Sequence, residues 1–165
     1  MIRVDIETII MAAGPIPSVI VLRERAASDT SDVPLRALSI QTGNFEAAAL
    51  SRGIHGSDER PITADLTVSI IKQLDAKIER VEINRVDGDL FYANVVLRRD
   101  GADEISIDAR PSDALSLAVR VNAPVYVEDD VMNRTGSISY QSEASDQAEQ
   151  EKFDQFVQTL SPDDF

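Results

Sequence analysis

The feature that most constrains the fold is a repeat. "LSIQTGNFEAAALSRGI" (38–54) lies over "ISIDARPSDALSLAVRV" (105–121) without a gap. Ser39, Ile40, Ala47 and Leu50 match Ser106, Ile107, Ala114 and Leu117, and Glu46 falls on Asp113. Upstream, "RVDI" (3–6) resembles "RVEI" (80–83), and "VIVLRER" (19–25) resembles "NVVLRRD" (94–100). Three matches in one order predict a duplicated unit of three strands and a helix, over residues 3–54 and 80–121. Two such units can share one closed or strongly curved sheet, which removes exposed edges.

Local patterns agree with that order. Residues 2–10 and parts of 18–25 alternate apolar and polar side chains, and 38–40 reads as a strand end. "AASDTSDVP" is a loop by composition. A helix is predicted from Asn44 to Ser51, stopped by Gly53. In "PITADLTVSIIKQLDA" Thr63 is the expected N-cap, and Leu66, Ile70, Ile71 and Leu74 form an i, i+4, i+5, i+8 apolar stripe. "DGD" (87–89) marks a hairpin between two strands. "EISID" reads as a strand, Ser112 as the cap of helix "DALSLAVRV", and "APVYVED" as a final strand. Phe91 and Tyr92 must face opposite sides of their strand, one of them inward.

Charge and missing residue types narrow the chemistry. The 165 residues fit one domain. There is no cysteine, which excludes thiolate zinc sites, disulfides and Cys nucleophiles, and the single histidine, His55, excludes multi-histidine metal sites. No apolar run approaches the roughly 18 residues of a membrane span. Asp5 and Glu7 interrupt the apolar N-terminus, unlike a signal peptide, so the expectation is a soluble cytoplasmic protein. The net charge of −13 opposes the basic footprint of most nucleic-acid binders. An acidic protein can still act on phosphodiesters when metal ions bridge its carboxylates to phosphate. With no tryptophan, five phenylalanines and three tyrosines, a stacking platform for single strands is not indicated.

Five stretches carry a family resemblance: "EAAAL" (46–50), "RPITADL" (60–66), "FYANVVL" (91–97), "DARPSDALSLAVR" (108–120) and "APVYV" (123–127). Together they make residues 1–132 resemble the bifunctional nuclease domain family. The resemblance implies an α+β fold, in which a duplicated three-strand-plus-helix unit forms a wide, mainly antiparallel, barrel-like sheet with helices outside. It implies, as for plant members, cleavage of both DNA and RNA. One departure stands out: the family pattern usually has histidine between the threonine and aspartate of the second stretch, and this chain has Ala64. His55, in a Gly-flanked loop, is not an assumed replacement.

What remains is carboxylate and guanidinium chemistry. Asp65, Asp108, Asp113 and Arg110 are the candidate catalytic residues, and Arg60 and Arg120 the candidate substrate-binding ones. Asp108, Asp113 and Glu46 are candidate ligands for a divalent metal, Mg or Mn, whose bound water would attack the phosphodiester while Arg60 or Arg110 stabilises the developing charge. Asp108, Arg110 and Asp113 are expected to cluster with Asp65 and Arg60, and Glu46 to mark a pseudo-symmetric second site. The competing reading is structural: Asp65 and Asp113 are acids near helix N-termini, where the dipole alone favours them. The functional alternatives are a non-catalytic oligomeric binding or regulatory module and a small-molecule sensor using the barrel interior. Residues 133–150 read as a flexible acidic linker. In 151–165 an amphipathic helix is predicted, with Phe153, Phe156, Val157 and Leu160 on one face. That helix needs a docking surface on its own body, a second copy or another protein, and a homodimer or higher homo-oligomer is expected.

Overall fold

The computed structural model describes residues 1–26, 34–57 and 59–138. Much of the expected linker, the C-terminal helix and most of the 26–34 loop lie outside the described residues. The strands are β1 (Ile2–Ile10), β2 (Ser18–Glu24), β3 (Arg36–Thr42), β4 (Ala76–Asp87), β5 (Leu90–Arg99), β6 (Ile105–Ala109), β7 (Val125–Val127) and β8 (Ser137–Ile138). The helices are α1 (Asn44–His55), α2 (Thr63–Gln73), α3 (Pro111–Val121) and α4 (Asp129–Thr135). The class is α+β. Among the described residues no helix is long and apolar enough to cross a membrane.

All eight strands form one sheet in the order β6-β5-β4-β7-β1-β2-β3-β8. Every neighbouring pair is antiparallel except β4–β7. The sheet is open, not closed: β8 pairs with the outer edge of β3, and among the described residues no strand pairs with the outer edge of β6. A sensor that binds inside a closed barrel therefore has no interior to use.

The repeat appears directly in the ladders. Ile20 faces Ile40 and Val21 faces Ser39, while Val95 faces Ile107 and Val96 faces Ser106. These are the partners that the gapless alignment makes equivalent. The first hairpin is less faithful. Val4 lies opposite Glu24, whereas Val81 lies opposite Val95 instead of Arg99, the counterpart of Glu24. The slip is an even number of residues, so it leaves the inward face inward.

One face of the sheet is the core side. Ile20, Leu22, Leu38, Ile40, Val95 and Val127 join Leu50, Val68, Ala114, Leu115 and Ala118 of the helices in a single apolar cluster. Long strands keep their apolar residues on this side through bulges. In β4 the register shifts between Ile78 and Arg80 and between Ile83 and Arg85, so Ile78, Val81, Ile83 and Val86 all point inward despite spacings of three. A matching shift between Ile6 and Thr8 lets Ile9 follow Ile6 inward in β1.

Several sequence expectations are corrected. α1 runs through Gly53 to His55 and stops at Gly56, whose φ is 74°. Gly53 is a packing glycine: a Cβ there would overlap Arg120 Nη1. The N-cap of α2 is Ile62, with Thr63 as the first helical residue, and the N-cap of α3 is Arg110, with Ser112 inside the helix. The α2 stripe is split: Leu66, Ile70 and Leu74 are exposed, while Ile71 packs on the core beside the buried Val68. Residues 133–138 are not linker, because α4 buries Val131 and Met132 and runs to Thr135, and β8 pairs with Arg36 and Ala37. The "DGD" turn is as expected, with Asp87 opposite Leu90 and Gly88 at φ 59°. Phe91 packs on the core, and Tyr92 lies under Arg85, 3.7 Å from its guanidinium carbon to the ring centre.

Candidate functional site

A cavity of about 470 Å³ lies where three helices begin. α1 contributes Phe45, Glu46 and Ala49, and α2 contributes Thr63, Ala64 and Thr67. Ser112, Asp113, Ser116 and Leu117 of α3 close the wall, with Arg110 at its N-cap. Phe45, Glu46, Thr63, Ala64, Ser112 and Asp113 come from the first turns, where backbone N–H groups are unsatisfied and the dipole is positive, and Ala49, Thr67, Ser116 and Leu117 from the turns that follow. Such a setting suits anionic groups.

Arg110 organises the polar side of this cavity. Its Nε and Nη2 donate to Asp113 Oδ2 and Oδ1 at 2.7 and 3.1 Å, and its Nη1 donates to Glu46 Oε1 at 3.0 Å. Glu46 and Asp113 occupy the same repeat position, so the acids of the two halves meet at one site instead of making two. The expected second site does not form. Gly43 is the repeat counterpart of Arg110, and a Cβ there would overlap the Glu46 carboxylate. Hydrogen bonding from its own backbone N–H, and next from Arg110, holds the Glu46 carboxyl below its ordinary range. Asp113 and then Glu46 raise the Arg110 guanidinium. The three groups carry a formal net charge of −1.

The remaining candidates go elsewhere. Asp65 Oδ2 accepts the Ile62 N–H at 2.8 Å, capping α2, and its Oδ1 accepts Arg120 Nε at 2.7 Å. The Arg120 side chain is only 7% exposed. It also donates to the Ser116 carbonyl and hydroxyl, each at 2.8 Å, and to the Ala49 carbonyl at 3.1 Å. Arg120 is thus a saturated staple joining α1, α2 and α3, and Asp65 serves it and the cap. Neither fits the substrate-contacting role expected of it. Arg60 is exposed outside the cavity lining, and its carbonyl accepts Arg52 Nη2 at 2.7 Å. Asp108 pairs with Asn94, between the pairs Val95–Ile107 and Ala93–Ala109. Its partner Asn94 lies between Ala93 and Val95, which face the core, so Asp108 stands on the opposite face of the sheet and does not join Arg110 and Asp113. His55 ends α1, where its Nδ1 lies 2.8 Å from the Ser51 carbonyl.

The three expected metal ligands, Glu46, Asp108 and Asp113, do not converge on one point. Mg or Mn ions need about six oxygens in near-octahedral order. Glu46 and Asp113 already share a guanidinium, Asp108 is on the other face, and among the described residues no three acids or histidines converge at ligand spacing. What the arrangement offers is a guanidinium for a phosphate oxygen and two ionised carboxylates that can accept a proton.

Sequence reasoning missed Phe45, 91% exposed at the cavity rim, and the Asp65–Arg120 pair. The repeat held a signal for the latter: Gly53 aligns with Arg120, and these two copies of one position face each other across α1 and α3. Only one can carry the arginine.

The comparisons converge. The sequence profile of the bifunctional nuclease domain matches residues 21–139. An uncharacterized protein of Mycobacterium tuberculosis (strain H37Rv) is 36% identical over 138 residues, covering 79% of this chain and 81% of its own length. A bifunctional nuclease of Oryza minuta is 25% identical over 138 residues, 82% of this chain. Bifunctional nuclease 2 of Oryza sativa subsp. japonica is 26% identical over 117 residues, 70% of this chain. The matched part spans 41% and 34% of those two plant proteins. The fold, the converging motif stretches and the profile match agree: the chain belongs to the bifunctional nuclease domain family.

Proposed function

We propose that this chain hydrolyses phosphodiester bonds of DNA and RNA in the cavity at the start of α1, α2 and α3. One observation carries the reading: three of the stretches that bear the family resemblance, 46–50, 60–66 and 108–120, reach this one cavity. In this scheme Arg110 takes a non-bridging phosphate oxygen. Its departure from Asp113 leaves that carboxylate to accept a proton from the attacking water; the P–O bond to the leaving oxygen breaks as the new one forms, and the leaving oxygen takes a proton from solvent. Ala64 lines the same cavity, so the imidazole of the family pattern would project into it; its absence predicts slow turnover. The test is cleavage of end-labelled single-stranded DNA and RNA by purified protein, in chelator and in Mg. Wild type is expected to cleave both in chelator, and Arg110→Ala to cleave neither. Equal cleavage by the two proteins would refute the site.

A second reading is a non-catalytic binding module. It is favoured by Ala64 and by the prior engagement of Arg110 by two acids. It predicts oligonucleotide binding without product.

A further inference from the structure

We infer that Phe45 is a base-stacking residue and that the unit this cavity accepts is one unpaired nucleotide; the inference rests on the phosphodiester reading above. Phe45 is 91% exposed at the rim, and the next residue, Glu46, holds Arg110. An aromatic ring left in water beside a cation-bearing cavity matches the parts of a nucleotide. Phe45 suits the face of a base, the Thr63 and Thr67 hydroxyls of the lining suit a sugar, and Arg110 suits the phosphate. The volume of about 470 Å³ lies in the range of small-ligand sites. A second hollow of about 200 Å³ shares Arg110 and Ser112 and is bordered by Leu90 and Gly43, giving the flanking chain a way out.

Duplex is the wrong shape for this site. It hides its base faces in the stack and presents a regular array of phosphates, each best met by its own cation. Here Arg110 is the cation of the cavity lining among the described residues, and the chain carries a net charge of −13. Stacking on an aromatic ring tolerates any base, which suits a site for both DNA and RNA.

The chain has no tryptophan, so Phe45→Trp installs a single indole reporter at the rim. Titration with an eight-nucleotide oligo-dT is expected to quench it saturably. A duplex of equal length should need at least about 10-fold more, and Arg110→Ala should weaken the single-strand response. Phe45→Ala is expected to lower kcat/KM on single-stranded DNA by about 10-fold or more, the worth of one base–aromatic stack, with the melting temperature unchanged. Equal quenching by duplex, no quenching by single strands, or a signal that follows protein concentration alone, as a second copy covering Phe45 would give, each overturns the inference. Quenching without cleavage keeps the stacking role and removes the hydrolytic reading. Cleavage indifferent to Phe45→Ala does the reverse.

Discussion

Two arginines on one helix show how burial decides a residue's role. Arg110 is 65% exposed, and its ion pairs sit in high dielectric, so Arg110→Ala should cost under about 1 kcal/mol of stability. Arg120 is 7% exposed, and its loss removes a donor from Asp65 and two carbonyls, so Arg120→Ala should cost about 1.5–3 kcal/mol. Urea unfolding of the two variants checks the contrast. Asp65 makes a matching pH prediction. The Ile62 N–H first, and Arg120 second, hold its carboxyl below the ordinary 3.8. A depressed folded pKa means its contribution is fully present above that ordinary value and is lost as pH falls through the folded one. The stability gap between wild type and Asp65→Asn should be flat from pH 7 to about 5 and shrink below about 4. Unfolding curves across that range measure it. The sequence left Asp65 between a catalytic and a helix-start reading because its deciding partner, Arg120, belongs to a different helix. The duplication, by contrast, made the Glu46–Asp113 equivalence legible at once. It could not reveal that the two acids meet, since that depends on how the halves pack.

At the level of elements, period alone misassigned what packing decides. The i, i+4, i+5, i+8 stripe of α2 is real in the sequence, but Leu66, Ile70 and Leu74 face outward while Ile71 and Val68 reach the core. Ile70→Gln should therefore change stability by less than about 0.5 kcal/mol, whereas Leu115→Ala, in a fully buried position, should cost about 2–5 kcal/mol. The homo-oligomer expected from the sequence needs an apolar face, and this stripe supplies one. Ile70→Asp with Leu74→Asp should lower the light-scattering mass to that of a monomer; an unchanged mass would place any interface elsewhere. Gly53 was misjudged for a related reason. Glycine is a common helix stop, yet here it is the space that Arg120 occupies. Gly53→Ala, ordinarily favourable by about 1 kcal/mol within a helix, should instead destabilise.

Across the whole molecule, duplication explains both what was legible and what was not. Order, faces and the β2–β3 and β5–β6 ladders repeat as the alignment requires. β7, outside the repeat, pairs with both β1 and β4 and so joins the halves into one sheet. Nothing local in "VYV" announces that place. The sheet stays open because β8 covers one edge while the other takes no strand among the described residues. The same repeat brings its two helix starts to a common cavity, and the family stretch around Ala64 adds the third. A gain of function tests that convergence most directly, since a contaminating nuclease would not follow the substitution. Cleavage of labelled single-stranded DNA by Ala64→His, compared with wild type, should be faster by about 10-fold or more, because a positioned general base contributes on the order of 10²–10⁴. Adding Arg110→Ala should abolish the gain. A rate unchanged by Ala64→His, or a gain that survives Arg110→Ala, would contradict the assignment of this cavity as the hydrolytic site.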